Sequence, residues 1–416
     1  MSKDKLAIQG GAPLRERPYS RRRGAGLIGD AELANVTSVL RAKALFRYAS
    51  SLGMAEQVER QLCDRFDVEF ALTVSSGTAA LFAALVAMGI QEGDEVIVPA
   101  VTFVATVGAV VMARAVPVFA EIDESLTLDP ASVEACVTPR TKAIVPVHLD
   151  NVAADMDVLV PVAERHGLRI LEDAAQAVGV TYRGKPVGSL GHAAGFSFQQ
   201  GKNITSGEGG AVLTSDWTVY DNACRFQDQG GQFTTATGRR THSSGEPFVG
   251  MNMRMTELAA AVLVAQLDRL DGIVTDCRKR GQWIRGQLAD LGLNWRRMPD
   301  ESGEGGSLVF FMESAGQARD FAAALGAEGV PAGQMYDAKA VYLNPAILAR
   351  RTLWTVGGPF HSAGYPDGRR YHPGLCPRSE ELFARHVVIG VGAEMTDADT
   401  ELVVAAVRKV AACLPW

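Results

Sequence analysis

Three stretches of this chain carry groups whose types and order could do chemistry: Ser75-Ser76-Gly77-Thr78, Asp173 and Lys202. Lys202 lies in Phe196-Ser197-Phe198-Gln199-Gln200-Gly201-Lys202-Asn203, which continues through Ile204-Thr205-Ser206 to Gly207-Glu208-Gly209-Gly210. An apolar run thus enters a polar, glycine-rich loop suited to sharp turns and close backbone approach. An isolated buried ammonium is costly. A lysine held in such a loop can have its pKa lowered, act as a nucleophile and form a Schiff base. Asp173 closes the apolar segment Arg169-Ile170-Leu171-Glu172-Asp173. A carboxylate at the C-terminal edge of a parallel strand is well placed for a ligand, although capping a following helix is the plainer role. Ser75 to Thr78 separates a strand-like from a helix-like run, where free amides and hydroxyls suit a phosphate. A tight turn with capping serines is the alternative.

Read together, the three stretches are more specific than any one alone. A carboxylate that pairs with a pyridine nitrogen keeps the ring protonated and makes it an electron sink. The small Ala175 would let a ring lie flat, and Ser197 adds a hydroxyl beside it. A phosphate turn, a pyridinium carboxylate and a Schiff-base lysine, in this order, are the requirements of pyridoxal 5'-phosphate.

The elements that must position these groups can be read from the pattern. Short apolar runs at 70–74, 95–99, 116–121, 143–147, 169–173, 193–198 and 210–214 read as strands. Helical segments at 79–88, 102–112 and 158–166 alternate with them. Such alternation argues for an α/β fold, a mostly parallel sheet of seven strands covered by helices. Asp30 is expected to cap a helix from Ala31. A long helix over 256–270 closes the region. Beyond Asp276 the texture changes to helix 278–291, strand 308–311, helix 315–325 and helix 397–414, which suits a smaller α+β domain. The expected division is an N-terminal arm at 1–25, a large cofactor-binding domain at 26–275 and a small C-terminal domain at 276–416. The segment 357–371, rich in glycine, proline, histidine and aromatics, reads as a long loop.

Composition excludes several classes. With 416 residues, 47% hydrophobic and 21% charged, the chain can bury a large core without covalent staples. A net charge of −6 gives no general electrostatic case for nucleic acid. The basic cluster Arg15, Arg17, Arg21, Arg22 and Arg23 reads first as a solvated arm or a subunit contact, and second as an anionic-ligand contact. The six cysteines form no Cys-x-x-Cys pair, so free thiols and no metal site are expected. The N-terminus lacks a signal-peptide pattern, and the apolar stretch 96–118 is broken by two prolines and Arg114. No membrane span and a cytoplasmic location are therefore expected.

The motifs also carry a resemblance. Val74-Ser75-Ser76-Gly77-Thr78-Ala79-Ala80-Leu81, Glu92-Gly93-Asp94-Glu95-Val96-Ile97-Val98-Pro99 and Glu172-Asp173-Ala174-Ala175-Gln176-Ala177 are three of them. Tyr182-Arg183-Gly184-Lys185, the Lys202 segment and Gly250-Met251-Asn252-Met253-Arg254-Met255-Thr256-Glu257 complete the set. On these the chain resembles the DegT/StrS-type aminotransferases, the sugar and cyclitol branch of fold-type-I pyridoxal-phosphate enzymes. The likeness is specific from about Leu6 to about Leu270 and weaker beyond. It implies that Lys202 forms the internal aldimine and then moves a proton between substrate and cofactor carbons. Asp173 pairs with the pyridine nitrogen and Gln176 contacts the ring hydroxyl. Gly77, Thr78 and Ser197 hold the phosphate, and Phe103 and Ala175 flank the ring. Asn252 reaches the phosphate of a neighbouring subunit, which implies a homodimer with shared active sites.

The activity so implied takes an amino group from L-glutamate or L-glutamine to a keto group of a cyclitol or sugar. The setting would be amino-sugar or aminocyclitol secondary metabolism, such as antibiotic biosynthesis. Gln199 stands where many nucleotide-sugar members carry a histidine. Gln199-Gln200 and the opening Leu6 to Arg15 lean toward cyclitol and aminoshikimate-type members. His148-Leu149-Asp150-Asn151 lacks the aromatic-glycine pair common after that histidine, and His148 itself reads as structural. Two other functions share the cofactor. A keto-sugar dehydratase would carry histidine in place of Lys202, and a non-catalytic regulatory protein would show no turnover with any amino donor.

Overall fold

The alternating apolar runs assemble into one seven-stranded sheet, ordered β1-β9-β8-β5-β4-β2-β3. Its strands are β1 (Phe70–Val74), β2 (Glu95–Pro99), β3 (Val116–Ala120), β4 (Thr141–Ile144), β5 (Arg169–Asp173), β8 (Ala193–Ser197) and β9 (Gly210–Thr214). A short hairpin, β6 (Thr181–Tyr182) with β7 (Lys185–Pro186), lies between β5 and β8. β3, β2, β4, β5 and β8 run parallel, while β9 is antiparallel to both β8 and β1. The computed structural model of the protein describes residues 5–48, 51–230, 248–353, 358–360 and 370–414.

Helices cover both faces, as a parallel sheet requires. One face packs on α2 (Met54–Phe66), α6 (Met156–His166) and the first half of α8 (Glu257–Gln287), through Val58, Leu62, Phe66, Leu159, Leu263 and Leu267. The other packs on α3 (Gly77–Ala87), α4 (Val104–Met112) and α7 (Trp217–Gln227). Successive strand residues divide between the faces: Ile97 belongs to the first core, Val96 and Val98 to the second. The remaining helices of this part are α1 (Asp30–Ala42) and α5 (Pro130–Cys136).

A second, antiparallel sheet of four strands is ordered β10-β11-β13-β12: β10 (Asn294–Trp295), β11 (Leu308–Phe311), β12 (Ala332–Gly333) and β13 (His386–Ile389). α9 (Ala315–Ala327) and α12 (Asp397–Cys413) pack on it with the second half of α8. Of two short helices, α11 (Pro377–Ala384) packs Leu382 and Phe383 beside Val309 and Phe311 of β11, while α10 (Pro345–Leu348) returns to the large sheet, with Ile347 in its second core.

Three local expectations change. Gly29, not Asp30, is the N-cap of α1; Asp30 is the first helical residue, and the Glu32 carboxylate accepts the Gly29 amide at 2.9 Å. β4 ends at Ile144, because Pro146 has no amide hydrogen to continue a ladder. The helices expected at 256–270 and 278–291 are one 31-residue helix, α8. Gly272 and Gly281 weaken its pattern, yet Leu270, Ile273, Val274, Cys277 and Ile284 keep one face buried. α8 therefore runs unbroken through residues 275 and 276. The loop expected at 357–371 lies outside the described residues except for 358–360 and 370–371.

The basic arm is not a free tail. Leu6 and Tyr19 are buried in the core of the small sheet. The Glu328 carboxylate accepts the amides of Ala7 and Leu14 at 2.9 and 3.0 Å, and Arg15 pairs with Asp399. No helix among the described residues is long and apolar enough to cross a membrane, and all six cysteines are free thiols.

Candidate active site

Lys202 sits five residues past β8 in a loop tied down by backbone bonds. Its amide donates to the Gln199 carbonyl, and the Gln200 amide to the Gly207 carbonyl, both at 2.9 Å. Asn203 anchors the far side, donating to Asn151 Oδ1 at 2.6 Å and to the Val178 carbonyl at 2.8 Å. The lysine lines a cavity of about 560 Å³ with Asn151, Gln176, Gln200 and Tyr336. Burial pushes the Lys202 ammonium below the usual lysine range, and the nearby Asp173 carboxylate opposes that shift.

Asp173 ends β5 and is buried. No helix follows it, so it caps none; its Oδ1 accepts the Ala175 amide at 3.2 Å. Its Oδ2 accepts the Thr106 hydroxyl at 2.7 Å, and the Thr102 hydroxyl lies 2.7 Å from that of Thr106. With the Thr106 proton committed to Asp173, Thr102 must donate to Thr106. Burial pushes the Asp173 carboxyl above its ordinary range, while Thr106, the Ala175 amide and the Lys202 charge pull it back. A second cation beside it, such as a pyridinium, would favour its ionised form further.

The phosphate-like turn forms as a strand-to-helix junction. Ser76 caps α3, its Oγ accepting the Ala79 amide at 3.1 Å. Its hydroxyl therefore serves the helix, and the amides of Gly77 and Thr78 are left without intrahelical acceptors. Gly77 is required by close approach: a Cβ there would lie 2.6 Å from Ser197 Cβ. That contact brings the start of α3 against Ser197 on β8. In the neighbouring strand Asp173 pairs with Gly195, and Gly195 and Ser197 share a face.

Phe103 is the N-cap of α4 and 53% exposed, with its ring centroid 6.1 Å from that of Tyr336. Gln176 Nε2 donates to the Tyr336 hydroxyl at 2.7 Å. Ala175 lies between Asp173 and Gln176 and is half-buried. Asn252 does not line the Lys202 cavity. It lies exposed beside the Ser75 turn, whose amide donates to the Met253 carbonyl, and its Oδ1 accepts the Arg254 amide at 3.4 Å.

Thr106 and Tyr336 were missed by the sequence reading. Thr106 lies in the first turn of α4 while Thr102 precedes its N-cap, Phe103, so their four-residue spacing marks no shared helix face. Tyr336 offered no periodic signal, because Tyr336, Asp337 and Ala338 all adopt left-handed backbone, with φ of 50, 54 and 55°.

His148 has a structural role, as expected. It is wholly buried; its Nδ1 accepts the Ala154 amide at 3.0 Å, so Nε2 carries the proton given to Glu172 at 2.9 Å. Glu172 also accepts the amides of Gly188, Leu190 and Gly191, each at 2.7 Å. Its carboxylate shapes the turn into β8 next door to Asp173.

These groups fit pyridoxal phosphate. A Cβ on Gly77 would fill the space against Ser197, and the Gly77 and Thr78 amides at the start of α3, with the Ser197 hydroxyl nearby, suit a phosphate. A buried carboxylate matches the ring nitrogen, and a lysine shifted toward its neutral form matches the aldehyde.

The model of the DegT/DnrJ/EryC1/StrS aminotransferase family matches residues 27–408. GDP-perosamine synthase of Caulobacter vibrioides is 44% identical over 247 residues, covering 59% of this chain; the match spans 65% of that protein, slightly under two thirds of its length. L-glutamine:2-deoxy-scyllo-inosose aminotransferase of Streptomyces fradiae is 35% identical over 412 residues, 95% of this chain and 94% of that one. Among solved structures, S. venezuelae DesV in complex with a ketimine intermediate is 30% identical, with a TM-score of 0.78 over 92% of this chain and 95% of that one.

Proposed function

The chain belongs to the DegT/DnrJ/EryC1/StrS aminotransferase family, and we propose that it moves an amino group from L-glutamine or L-glutamate to a keto group of a cyclitol or sugar. The observation that carries this reading is the pairing of the buried Asp173 with the half-buried Lys202, each within electrostatic reach of the other, in the part of the sheet where Gly77 approaches Ser197. The cofactor of this reading is pyridoxal 5'-phosphate. When bound, it supplies an electron sink for the carbanion left as a substrate carbon loses its proton.

The chain's own residues do the rest. Lys202 Nζ takes and returns the proton at the reacting carbon, and its lowered pKa leaves more of the neutral base near neutral pH. Asp173, steadied by Thr106 and the Ala175 amide, would keep the ring nitrogen protonated. The Gly77 and Thr78 amides and the Ser197 hydroxyl would bind the phosphate. Phe103 and Ala175 would flank the ring, and Gln176 would meet its hydroxyl. Residues 26–275 act as the cofactor-binding domain, and α8 runs from it into the 276–416 domain.

The working unit in this reading is a homodimer, with Asn252 reaching the phosphate of the partner site. Supporting it, Phe248, Val249 and Met251 are 38, 94 and 46% exposed beside Asn252, and exposed apolar segments mark interfaces. The match to the inosose aminotransferase over 95% of this chain supports cyclitols among the acceptors.

The test is incubation with amide-labelled and amine-labelled L-glutamine, or with labelled L-glutamate, and a panel of keto-cyclitols and nucleotide-linked keto-sugars. The expected product carries the donor's amine nitrogen in place of the ketone oxygen. A product that has lost water without gaining nitrogen would establish a dehydratase.

A further inference from the structure

We propose that Arg21 and Arg22 form an oxyanion-binding pair that seats the α-carboxylate of the amino donor; this rests on the aminotransferase reading above. The Lys202 cavity is lined by four cations, Arg21, Arg22, Arg23 and Lys202, and by one carboxylate, Asp150. Two of these five are engaged elsewhere. Arg23 Nη1 donates to Asn203 Oδ1 at 3.1 Å and to the Gly305 carbonyl at 2.7 Å, and its Nε donates to the Val391 carbonyl at 3.2 Å. Asp150 accepts the Ser307 hydroxyl at 2.7 Å. The guanidinium groups of Arg21 and Arg22 make no hydrogen bond or ion pair with the described residues.

A solvated basic arm would leave its backbone loose, and this one is pinned on both sides. The Tyr19 hydroxyl donates to the Gly390 carbonyl, and the Ala393 amide to the Arg22 carbonyl, both at 2.8 Å. Gly390 makes room for the arm, since a Cβ there would lie 3.0 Å from both Cβ and Cδ of Arg21. Two residues later the Gly24 amide donates to the carbonyl of Asn203, the neighbour of Lys202, at 2.8 Å. The arm therefore holds two uncommitted guanidinium groups in register with the lysine loop.

The chemistry favours the donor. Every amino-acid donor carries a carboxylate one bond from the carbon whose proton moves, so its cation must share the cavity with Lys202. A planar guanidinium fork matches that carboxylate. A keto-cyclitol brings no anion. A nucleotide-linked keto-sugar would bring a diphosphate, the other source of an oxyanion, and the experiment separates the two.

The holoenzyme is mixed rapidly with L-glutamine alone, and the loss of visible cofactor absorption is followed against donor concentration. Wild type, Arg21→Gln, Arg22→Gln and the double variant are compared, each also with the α-amide of L-glutamine. The pair predicts that the double variant raises the donor half-saturation by about tenfold or more, the scale of a lost charge-assisted contact. The limiting rate stays close to wild type, and the preference for L-glutamine over its α-amide shrinks. Arg→Lys variants recover part of the loss. An unchanged donor half-saturation with a raised acceptor KM would assign the pair to an acceptor diphosphate and overturn the proposal. No change in either would show that the two guanidinium groups are solvated surface charges and overturn the proposal. The single variants remove exposed groups without protein partners, so they decide the matter should the double variant lose cofactor. A wild type that responds to no amino acid would instead remove the aminotransferase reading.

Discussion

The Thr106 hydroxyl donates to Oδ2 of Asp173 across 2.7 Å, joining the first turn of α4 to the end of β5. Hydrogen bonds to charged groups contribute about 1.5–3 kcal/mol. Thr106→Val keeps the shape and removes the donor, so the Asp173 carboxyl should rise further and hold a cationic ring less well. Cofactor affinity is expected to fall about tenfold, read by equilibrium dialysis. Unchanged affinity would show that Thr106 only packs.

Gly77→Ala should damage the cofactor cradle more than the fold. The new Cβ would meet Ser197 Cβ at 2.6 Å and push the start of α3 away. Overpacking of this kind costs about 1–3 kcal/mol. Urea melts of cofactor-free protein should show that loss, and pairing with Ser197→Gly should restore most of it. Cofactor affinity should stay low in the pair, because the Ser197 hydroxyl is then gone.

Glu172→Gln should destabilise the protein by about 3 kcal/mol. The carboxylate accepts three amides and the His148 ring in a fully buried site. An amide side chain turns a donor toward one of those donors, leaving buried groups unpaired. The measurement is urea unfolding without cofactor. A loss under 1 kcal/mol, on the scale of an ordinary surface change, would contradict it.

His386 should make stability fall with acid. Burial lowers its pKa to about 4, against a bond to the Phe383 carbonyl that raises it. Its Nε2 accepts the Met335 amide at 2.6 Å, so it must stay unprotonated there to hold the turn that carries Tyr336. Because the folded pKa lies below the unfolded value, the unfolded chain binds more protons between them. Stability is complete above about pH 6.5 and is lost as pH falls toward 4, by at most roughly 3 kcal/mol. Melting against pH should show this slope in wild type and a shallower one in His386→Gln.

What the sequence made legible follows from where the signals are local. The seven strands stood out because a sheet buried on both faces needs continuous apolar runs. Lys202, Asp173 and the Ser75–Thr78 turn stood out because each sits where such a run stops. The structure brings Gly77 against Ser197, and Asp173 within electrostatic reach of Lys202. Thr106 and Tyr336 were hidden, because their partners Asp173 and Gln176 are 67 and 160 residues away in the chain. The continuity of α8 was hidden for a different reason: its buried face changes core halfway, from the large sheet at Leu270 to the small one at Cys277. The arginines of the arm read as solvated because composition cannot show that Tyr19 and Leu6 are buried beside them.

The central claim is that Lys202 carries the cofactor, and chemical trapping tests it directly. Holoenzyme is treated with borohydride, digested, and its peptides weighed. The account predicts the reduced cofactor on the peptide containing Lys202, strongly diminished labelling after prior incubation with L-glutamine, and no label in Lys202→Ala. Label on a different lysine, or bound cofactor that no lysine retains, would contradict it.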